Sequence, residues 1–155
     1  SQKLVPVLSY VDFRVTVCED RAEFADPARF PAAERVVLRP FADAVASFGV
    51  SGDDYLVIMT RGHQADYELL SQALRTPATY IGCIGSRHKV AATRRRLLAE
   101  GFTEADFARV HTPIGLPILA ETPEEIAVSV AGEMIRHRAE REMPLENGTG
   151  AESQK

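Results

Sequence analysis

Residues 80–89 read Tyr80-Ile81-Gly82-Cys83-Ile84-Gly85-Ser86-Arg87-His88-Lys89, and they decide the fold, because an apolar strand stops at Gly-Ser and turns directly into a basic helix. Gly85 can adopt backbone angles that are closed to other residues, and Ser86 can cap the helix. The first helical N–H groups then point into open space beside Arg87 and Lys89, which predicts a site for an anion. For this stretch alone, the alternative is an ordinary strand-to-helix turn with a solvated basic face.

The same form occurs earlier in the chain. Residues 55–60 are a nearly continuous apolar run, which is what a strand buried on both faces requires. This run ends at Thr60-Arg61-Gly62-His63, and residues 64–74 then place apolar side chains at helical spacing. The two best strands are therefore each followed by a helix.

Strands alternate with helices along most of the chain. Parallel strands are predicted at 13–18, 35–38, 55–60 and 79–84, with a short one at 109–111, and helices at 1–11, 40–48, 64–74, 87–100, 103–106 and 122–141. This alternation predicts an α/β fold with a Rossmann-like parallel sheet and helices on both faces. It occupies one domain, residues 1–141, and the polar residues 142–155 are predicted to be a disordered tail.

Ligands of such sheets bind beyond the carboxyl ends of the strands. Four strand ends, at 20–21, 60–63, 85–89 and 111–116, carry most of the Gly, His and Arg candidates. We expect 60–63, 85–89 and 113–116 to surround one cleft. Asp20 closes a strand where a dinucleotide-binding fold holds a ribose hydroxyl, although a turn or a cap is the alternative use of an Asp there.

Composition excludes several classes of protein. The chain has 155 residues, is 45% hydrophobic and carries a formal net charge of −4, so we expect one soluble cytoplasmic domain that does not wrap nucleic acid. No stretch is long and apolar enough for a membrane span, and the first residues do not read as a signal peptide. Cys18 and Cys83 are far apart, which favours reduced core thiols.

The candidate side chains favour binding over catalysis. Arg61, Arg87 and Lys89 are the best candidates for a phosphate or pyrophosphate. His63 could bind a ligand, shuttle a proton or cap the next helix. The other histidines show no spacing typical of a metal site, and no Ser-His-Asp or Cys-His arrangement can be named, so neither a metal nor a catalytic residue is predicted.

Four motifs together resemble a known family. They are Thr60-Arg61-Gly62-His63 with Asp66, residues 80–89, Pro113-Ile114-Gly115-Leu116, and residues 121–127. In order and spacing they are similar to the C-terminal domain of the XdhC/CoxI family, accessory factors for xanthine dehydrogenase and related molybdenum hydroxylases. The resemblance runs from about residue 5 to residue 138.

The resemblance implies a Rossmann-like fold and a cofactor chaperone rather than an enzyme. Such a domain would bind the molybdenum cofactor, a molybdopterin in mononucleotide or dinucleotide form, assist its sulfuration and deliver it to an apo molybdenum hydroxylase. The hydroxylase and a cysteine desulfurase are then the expected partners. The predicted cofactor-binding residues are Asp20, Arg61, Gly62, His63, Gly85, Ser86, Arg87, Lys89 and Gly115.

The sequence departs from the family pattern at its start, because the usual first strand and its Gly-x-Gly-His are absent. That strand is central in a Rossmann sheet. We expect the gap to be filled, either by direct pairing of the strands that end at Cys18 and Thr60, by a second copy of the chain, or by an N-terminal piece. A homodimer is therefore expected. The alternative functions are an NAD(P)-dependent oxidoreductase, which Asp20 favours, and a docking module.

Overall fold

The computed structural model describes residues 1–143, apart from the side chains of His63 and Arg87. The tail predicted at 142–155 lies outside these residues except for its first two, and the last helix includes Glu142. The elements, in chain order, are α1 (Leu4–Tyr10), β1 (Thr16–Glu19), β2 (Arg35–Leu38), β3 (Tyr55–Ile58), α2 (His63–Ala73), β4 (Tyr80–Cys83), α3 (Arg87–Ala99), α4 (Glu104–Phe107), β5 (Val110–His111) and α5 (Pro123–Glu142).

All five strands pair in parallel, as predicted, but in two sheets rather than one. The first sheet contains β1 and β2, with Val17 opposite Val36. The second has the order β3-β4-β5, with Leu56 opposite Ile81. Within the described residues β1 and β3 do not pair with each other, so direct pairing, one of the three expected ways of filling the gap, does not occur in this structure.

Helices cover both faces of the second sheet, as the apolar pattern of its strands predicted. Ile81 and Cys83 point toward α2, where they join a buried cluster with Leu70 and Leu97. Tyr80 points to the other face and packs against α1 and α5. Tyr80 and Ile81 are 0% and 1% exposed, which places β4 in the middle of the core.

Local signals explain where the longer helices begin. The Ser86 side chain accepts a hydrogen bond from the backbone N–H of Lys89 at 3.4 Å, so this residue is the predicted N-cap of α3. Thr122 and Glu125 form a capping box at the start of α5.

The helix predicted at 40–48 consists instead of two 3₁₀ turns, Phe41–Asp43 and Ala46–Phe48. No described helix has the length and apolarity needed to cross a bilayer.

Candidate functional site

A cleft of about 520 Å³ opens beyond the carboxyl ends of β1, β2 and β3. We call it the edge cleft. Its volume lies in the range of small-molecule sites, about 300–1,000 Å³. Each of the three strands contributes its end, and the first turns of α2 close the far side. The lining residues are Asp20, Pro40, Phe41, Arg61, Gly62, Gln64, Ala65 and Glu68.

Asp20 lines the cleft beside a second carboxylate, Glu19, which binds the local arginine more closely than Asp20 does. The Arg21 guanidinium donates to both oxygens of Glu19, at 3.0 and 3.3 Å, while its Nε lies 3.7 Å from Asp20. Burial raises the pKa of Glu19, but the hydrogen bonds from Arg21 outweigh it and leave that pKa below its usual value. Desolvation, together with a hydrogen bond to Glu19, raises the pKa of Asp20. Asp20 is therefore the carboxylate of this pair that more readily holds a proton or accepts one from a ligand donor.

Arg61 and Gly62 form the cleft wall at the end of β3, in a turn that leads directly into α2. Gly62 has a φ of 146°, which side chains rarely adopt, and a Cβ atom placed there would meet nothing within 4 Å. The glycine is therefore required by backbone conformation rather than by crowding. Arg61 is exposed and makes no ion pair with any residue that the structure describes.

The opposite wall comes from α2, where Gln64 and Glu68 lie one turn apart. The Gln64 Oε1 accepts a hydrogen bond from Arg96 of α3 at 2.8 Å. Because a guanidinium only donates, this contact fixes the amide so that its N–H₂ group is left to other acceptors. The edge cleft therefore combines two carboxylates, Asp20 and Glu68, with one guanidinium, that of Arg61.

A second, much smaller recess of about 20 Å³ lies at the carboxyl end of β4, and we call it the β4 recess. Gly85 and Lys89 line it beside the first turn of α3. Gly85 does not have a left-handed backbone, and a Cβ atom there would lie 3.8 Å from Lys89 and Val90, which is ordinary contact. Gly85 thus does not use the backbone freedom that the sequence offers at this position. The lining residues are Asp66, Leu70, Cys83, Ile84, Gly85, Lys89, Val90, Thr93, Phe107 and Thr112.

The thiol in the β4 recess is chemically quiet. Burial, helped by the charge of Asp66, raises the pKa of Cys83 to about 12. Burial also raises the pKa of Cys18. Both thiols therefore stay protonated at neutral pH, and the protonated form is a poor nucleophile and a poor metal ligand.

The predicted single cleft is divided in the structure. Residues 64, 65 and 68 of α2 face the edge cleft, whereas Asp66 and Leu70 face the β4 recess, so the helix separates the two. Asp20, Arg61 and Gly62 line the edge cleft, and Gly85 and Lys89 line the β4 recess. His63 and Arg87 begin α2 and α3, and their side chains lie outside the description.

Gly115 lines neither the edge cleft nor the β4 recess. Its φ is 103°, and a Cβ atom there would lie 3.3 Å from the Cβ of Ser129 in α5. The Ser129 hydroxyl donates to the Leu116 carbonyl at 2.6 Å, and the Leu116 N–H donates to the Ser129 carbonyl at 3.2 Å. In this structure Gly115 thus allows the loop after β5 to approach α5. Whether it also contacts a cofactor stays a prediction.

Sequence reasoning missed five lining residues of the edge cleft: Pro40, Phe41, Gln64, Ala65 and Glu68. Gln64 and Glu68 could have been found from the sequence. They are four residues apart at the start of a helix that follows a strand end, and this spacing places both on one helix face. Pro40 and Phe41 follow β2, and no sequence motif singles them out. Among the described residues, no group of three or more His, Cys, Asp or Glu side chains could hold a metal ion.

The family model of the XdhC Rossmann domain matches residues 1–134 of the chain. A relative named as an uncharacterized protein, YqeB of Escherichia coli strain K12, is 33% identical over 125 residues. That match covers 80% of this chain and 23% of the relative. A protein named as a probable xanthine dehydrogenase subunit, from Bacillus subtilis strain 168, is 31% identical over 126 residues, covering 81% of this chain and 36% of the relative.

A solved structure is also similar. The crystal structure described as a xanthine dehydrogenase from Bacillus halodurans superposes with a TM-score of 0.80 at 32% identity. The match covers 92% of this chain and 40% of that protein. The chain thus spans less than half the length of each of these relatives.

Proposed function

This chain belongs to the family of XdhC Rossmann domains, and we propose that it binds the molybdenum cofactor and assists its sulfuration and insertion into xanthine dehydrogenase-type molybdenum hydroxylases. The observation that carries the proposal is the edge cleft, because open parallel sheets bind ligands beyond the carboxyl ends of their strands. One family motif, 60–63, supplies Arg61 and Gly62 to its wall. The next motif, 80–89, forms the adjacent β4 recess.

The donors and acceptors of the two recesses fit this cofactor. A molybdopterin carries ring N–H and amino groups at one end and a phosphate at the other. Asp20 and Glu68 can accept from the amino and N–H groups, and Arg61 can donate a planar fork to a phosphate. Lys89 and the capped N-terminus of α3 offer a second position for an anion. When bound, the group would supply the redox metal of the client enzyme, while this chain binds and orients it.

The thiols support a role as a carrier rather than as a sulfur-transfer enzyme. A persulfide carrier needs an accessible thiolate, and the pKa values of Cys83 and Cys18 are both raised by burial. We therefore infer that a partner, a cysteine desulfurase, supplies the sulfur, and that the loaded cofactor is delivered to an apo hydroxylase. The chain is then a non-catalytic chaperone that presents the cofactor to both partners.

The test is a fluorescence titration of the purified chain with molybdopterin. Arg61→Ala should raise the dissociation constant about tenfold, the effect of losing one charge-assisted hydrogen bond. The matched control is Arg95→Ala, an exposed arginine of α3 that lines neither recess, and it should bind as the wild type does. Equal affinities for Arg61→Ala and the wild type would remove the edge cleft from the function.

A nicotinamide dinucleotide is the second candidate, because Asp20 lies at the end of β1 and lines the edge cleft. A carboxylate in that position can accept from ribose hydroxyls. NADH and NADPH belong in the same titration. Saturable binding of NADH that Asp20→Asn weakens, with no binding of molybdopterin, would replace the chaperone function by an oxidoreductase or a dinucleotide sensor.

A further inference from the structure

We infer that Asp66 is a positioning residue that sets the conformation of the turn at 60–63, and through it the wall of the edge cleft. The inference rests on the proposed function in so far as that cleft binds the cofactor. Asp66 does not line the edge cleft itself, because its side chain lies on the other face of α2, in the β4 recess. It acts through Thr60, the residue that connects β3 to the turn.

Asp66 and Thr60 are joined by two hydrogen bonds to one carboxylate oxygen. The Thr60 hydroxyl lies 2.5 Å from Oδ1 of Asp66, and the Thr60 backbone N–H donates to the same oxygen at 3.3 Å. The hydroxyl also lies 3.3 Å from the Gly62 carbonyl, but it has a single proton, and the shorter contact with the carboxylate takes it. Hydrogen bonds to a charged acceptor are about twice as strong as neutral ones.

The backbone of Asp66 closes the same loop. Its N–H donates to the Gly62 carbonyl at 3.2 Å, which is the first helical bond of α2. Side chain and backbone of Asp66 therefore hold both ends of the turn, at Thr60 and at Gly62. These contacts restrain the backbone of the turn at both of its ends.

Packing does not hold this turn. Arg61 and Gly62 are exposed, and a Cβ atom placed at Gly62 would meet nothing within 4 Å. Gly62 has the largest conformational freedom of any residue type, and that freedom must be removed before Arg61 can face the cleft in one orientation. The two bonds to Thr60, together with the bond from the Asp66 N–H to the Gly62 carbonyl, restrict it.

A first-turn carboxylate also favours the positive end of a helix, and this simpler role predicts a loss of stability alone. The chain contains a matched pair that separates the two roles. The Thr103 hydroxyl and N–H lie 2.9 and 2.8 Å from one oxygen of Asp106 at the start of α4, and neither residue lines the edge cleft or the β4 recess. Thr103→Val therefore removes the same kind of bond at the start of another helix.

The experiment compares Thr60→Val, Thr60→Ser, Asp66→Ala and Thr103→Val in the full chain. Amide resonances and hydrogen exchange of residues 60–63 are measured without ligand, and molybdopterin affinity is measured by fluorescence. Thr60→Val and Asp66→Ala should shift the Arg61 and Gly62 amides, speed their exchange and weaken molybdopterin binding about tenfold. Thr60→Ser keeps the hydroxyl and should restore both readouts, and Thr103→Val should leave both unchanged.

The two readouts keep this inference separate from the proposed function. If the amides of Arg61 and Gly62 are unchanged in Thr60→Val and Asp66→Ala, Asp66 does not position the turn and the inference is wrong. If the amides shift but the wild type does not bind molybdopterin, the positioning role is supported and the proposed ligand is wrong. If the amides shift and the affinity for molybdopterin stays at the wild-type value, the turn does not shape the ligand site and the inference is overturned.

Discussion

Gly82 and Gly85 lie three residues apart in one motif and have different reasons to be glycine. A Cβ atom at Gly82 would lie 2.8 Å from Cε1 of Tyr80 and 2.9 Å from Cγ1 of Ile114, closer than real Cβ contacts. Gly82 is therefore required by the packing of β4 against the loop after β5. At Gly85 the nearest atoms are 3.8 Å away, so the space for a methyl group exists.

We expect Gly82→Ala to destabilise the fold by about 1–3 kcal/mol, the usual cost of overpacking a core. Gly85→Ala should change the free energy of unfolding by less than about 0.5 kcal/mol. Urea unfolding followed by circular dichroism measures both. If Gly85→Ala proves stable and yet loses molybdopterin binding, the ligand approaches the Gly85 backbone. Equal destabilisation by the two variants would contradict this account.

The thiol of Cys83 gives a second prediction. Since burial and the charge of Asp66 raise its pKa to about 12, the thiolate form is scarce at pH 8. We expect Cys83 to resist alkylation by iodoacetamide in the native state and to react when the chain is unfolded in urea. Mass spectrometry of tryptic peptides distinguishes it from Cys18, which is less buried and should react first. Rapid native labelling of Cys83 would show that the β4 recess opens.

At the scale of single residues, the sequence predicts what depends on neighbours in the chain. The Ser86 cap follows from the residues at 85–89, and the structure confirms it. The closeness of Gly115 to Ser129, and of Gly82 to Ile114, depends on how a loop packs on a distant element, which no local pattern records. Gly85 can adopt angles that are closed to other residues, but the structure does not use them there.

A buried polar cluster lies where helix α5 packs against β4 and β5. The Tyr80 hydroxyl, at the start of β4, donates to Oε1 of Glu133 at 2.5 Å. The ring of Tyr80 stacks on His111 of β5 with centroids 4.4 Å apart, and His137 lies edge-on to Tyr80 at 5.4 Å. Glu133 is 7% exposed, so α5 is joined to the sheet by a carboxylate that is accessible to almost no water.

His137 makes the stability of the folded chain depend on pH. Burial is the main reason that its pKa lies below 6.5, and the nearby His111 and Arg141 lower it further. The unfolded chain therefore binds a proton at His137 more readily than the folded chain does. The stabilisation is present above pH 6.5 and is lost as the pH falls through the lower folded-state pKa.

We expect the urea midpoint of the wild type to decrease between pH 7.5 and pH 5.5, and His137→Gln to reduce that decrease. His88→Gln is the matched control, because His88 is exposed on α3 and should leave the pH dependence of the wild type unchanged. Denaturation series at several pH values for the three proteins provide the measurement. An identical pH dependence in wild type and His137→Gln would show that other groups titrate.

Helices and turns, like single residues, depend partly on neighbours in the chain and partly on contacts with distant residues. The start of α5 was predicted from Thr122 and Glu125, which form their capping box within one turn. The segment 40–48 was predicted as a helix, but it is two 3₁₀ turns that Gln72 of α2 holds, through hydrogen bonds to Phe41 and Val45. These turns thus bond to a side chain that lies 27 residues beyond Val45, and the sequence does not show that contact.

At the scale of the whole molecule, the described strands form two sheets, and both β1 and β3 have an edge that no described strand pairs with. The Val15 and Glu19 carbonyls accept from the β2 side, so Thr16 and Cys18 direct their backbone groups to the other edge. On β3, Ile58 accepts from the β4 side, and the alternate residue Val57 faces away. The sequence predicted the gap from a missing motif, but it did not decide how the gap is filled.

Unpaired strand edges recruit further strands, and the structure excludes direct pairing of β1 with β3 as the way to close this gap. We therefore expect this 155-residue chain to self-associate as its concentration rises, with a strand of a second copy entering between Thr16 and Val57. Light scattering over a dilution series measures the mass, and amide exchange reports whether Thr16 and Val57 become protected. Thr16→Pro removes an N–H from the open edge at a position where proline is tolerated, the first residue of a strand, and should weaken association. Thr16→Val keeps the N–H and is the control. A mass of 17.0 kDa at every concentration, with rapid exchange at Thr16 and Val57, would show that the edge stays open in solution and that no second copy fills it.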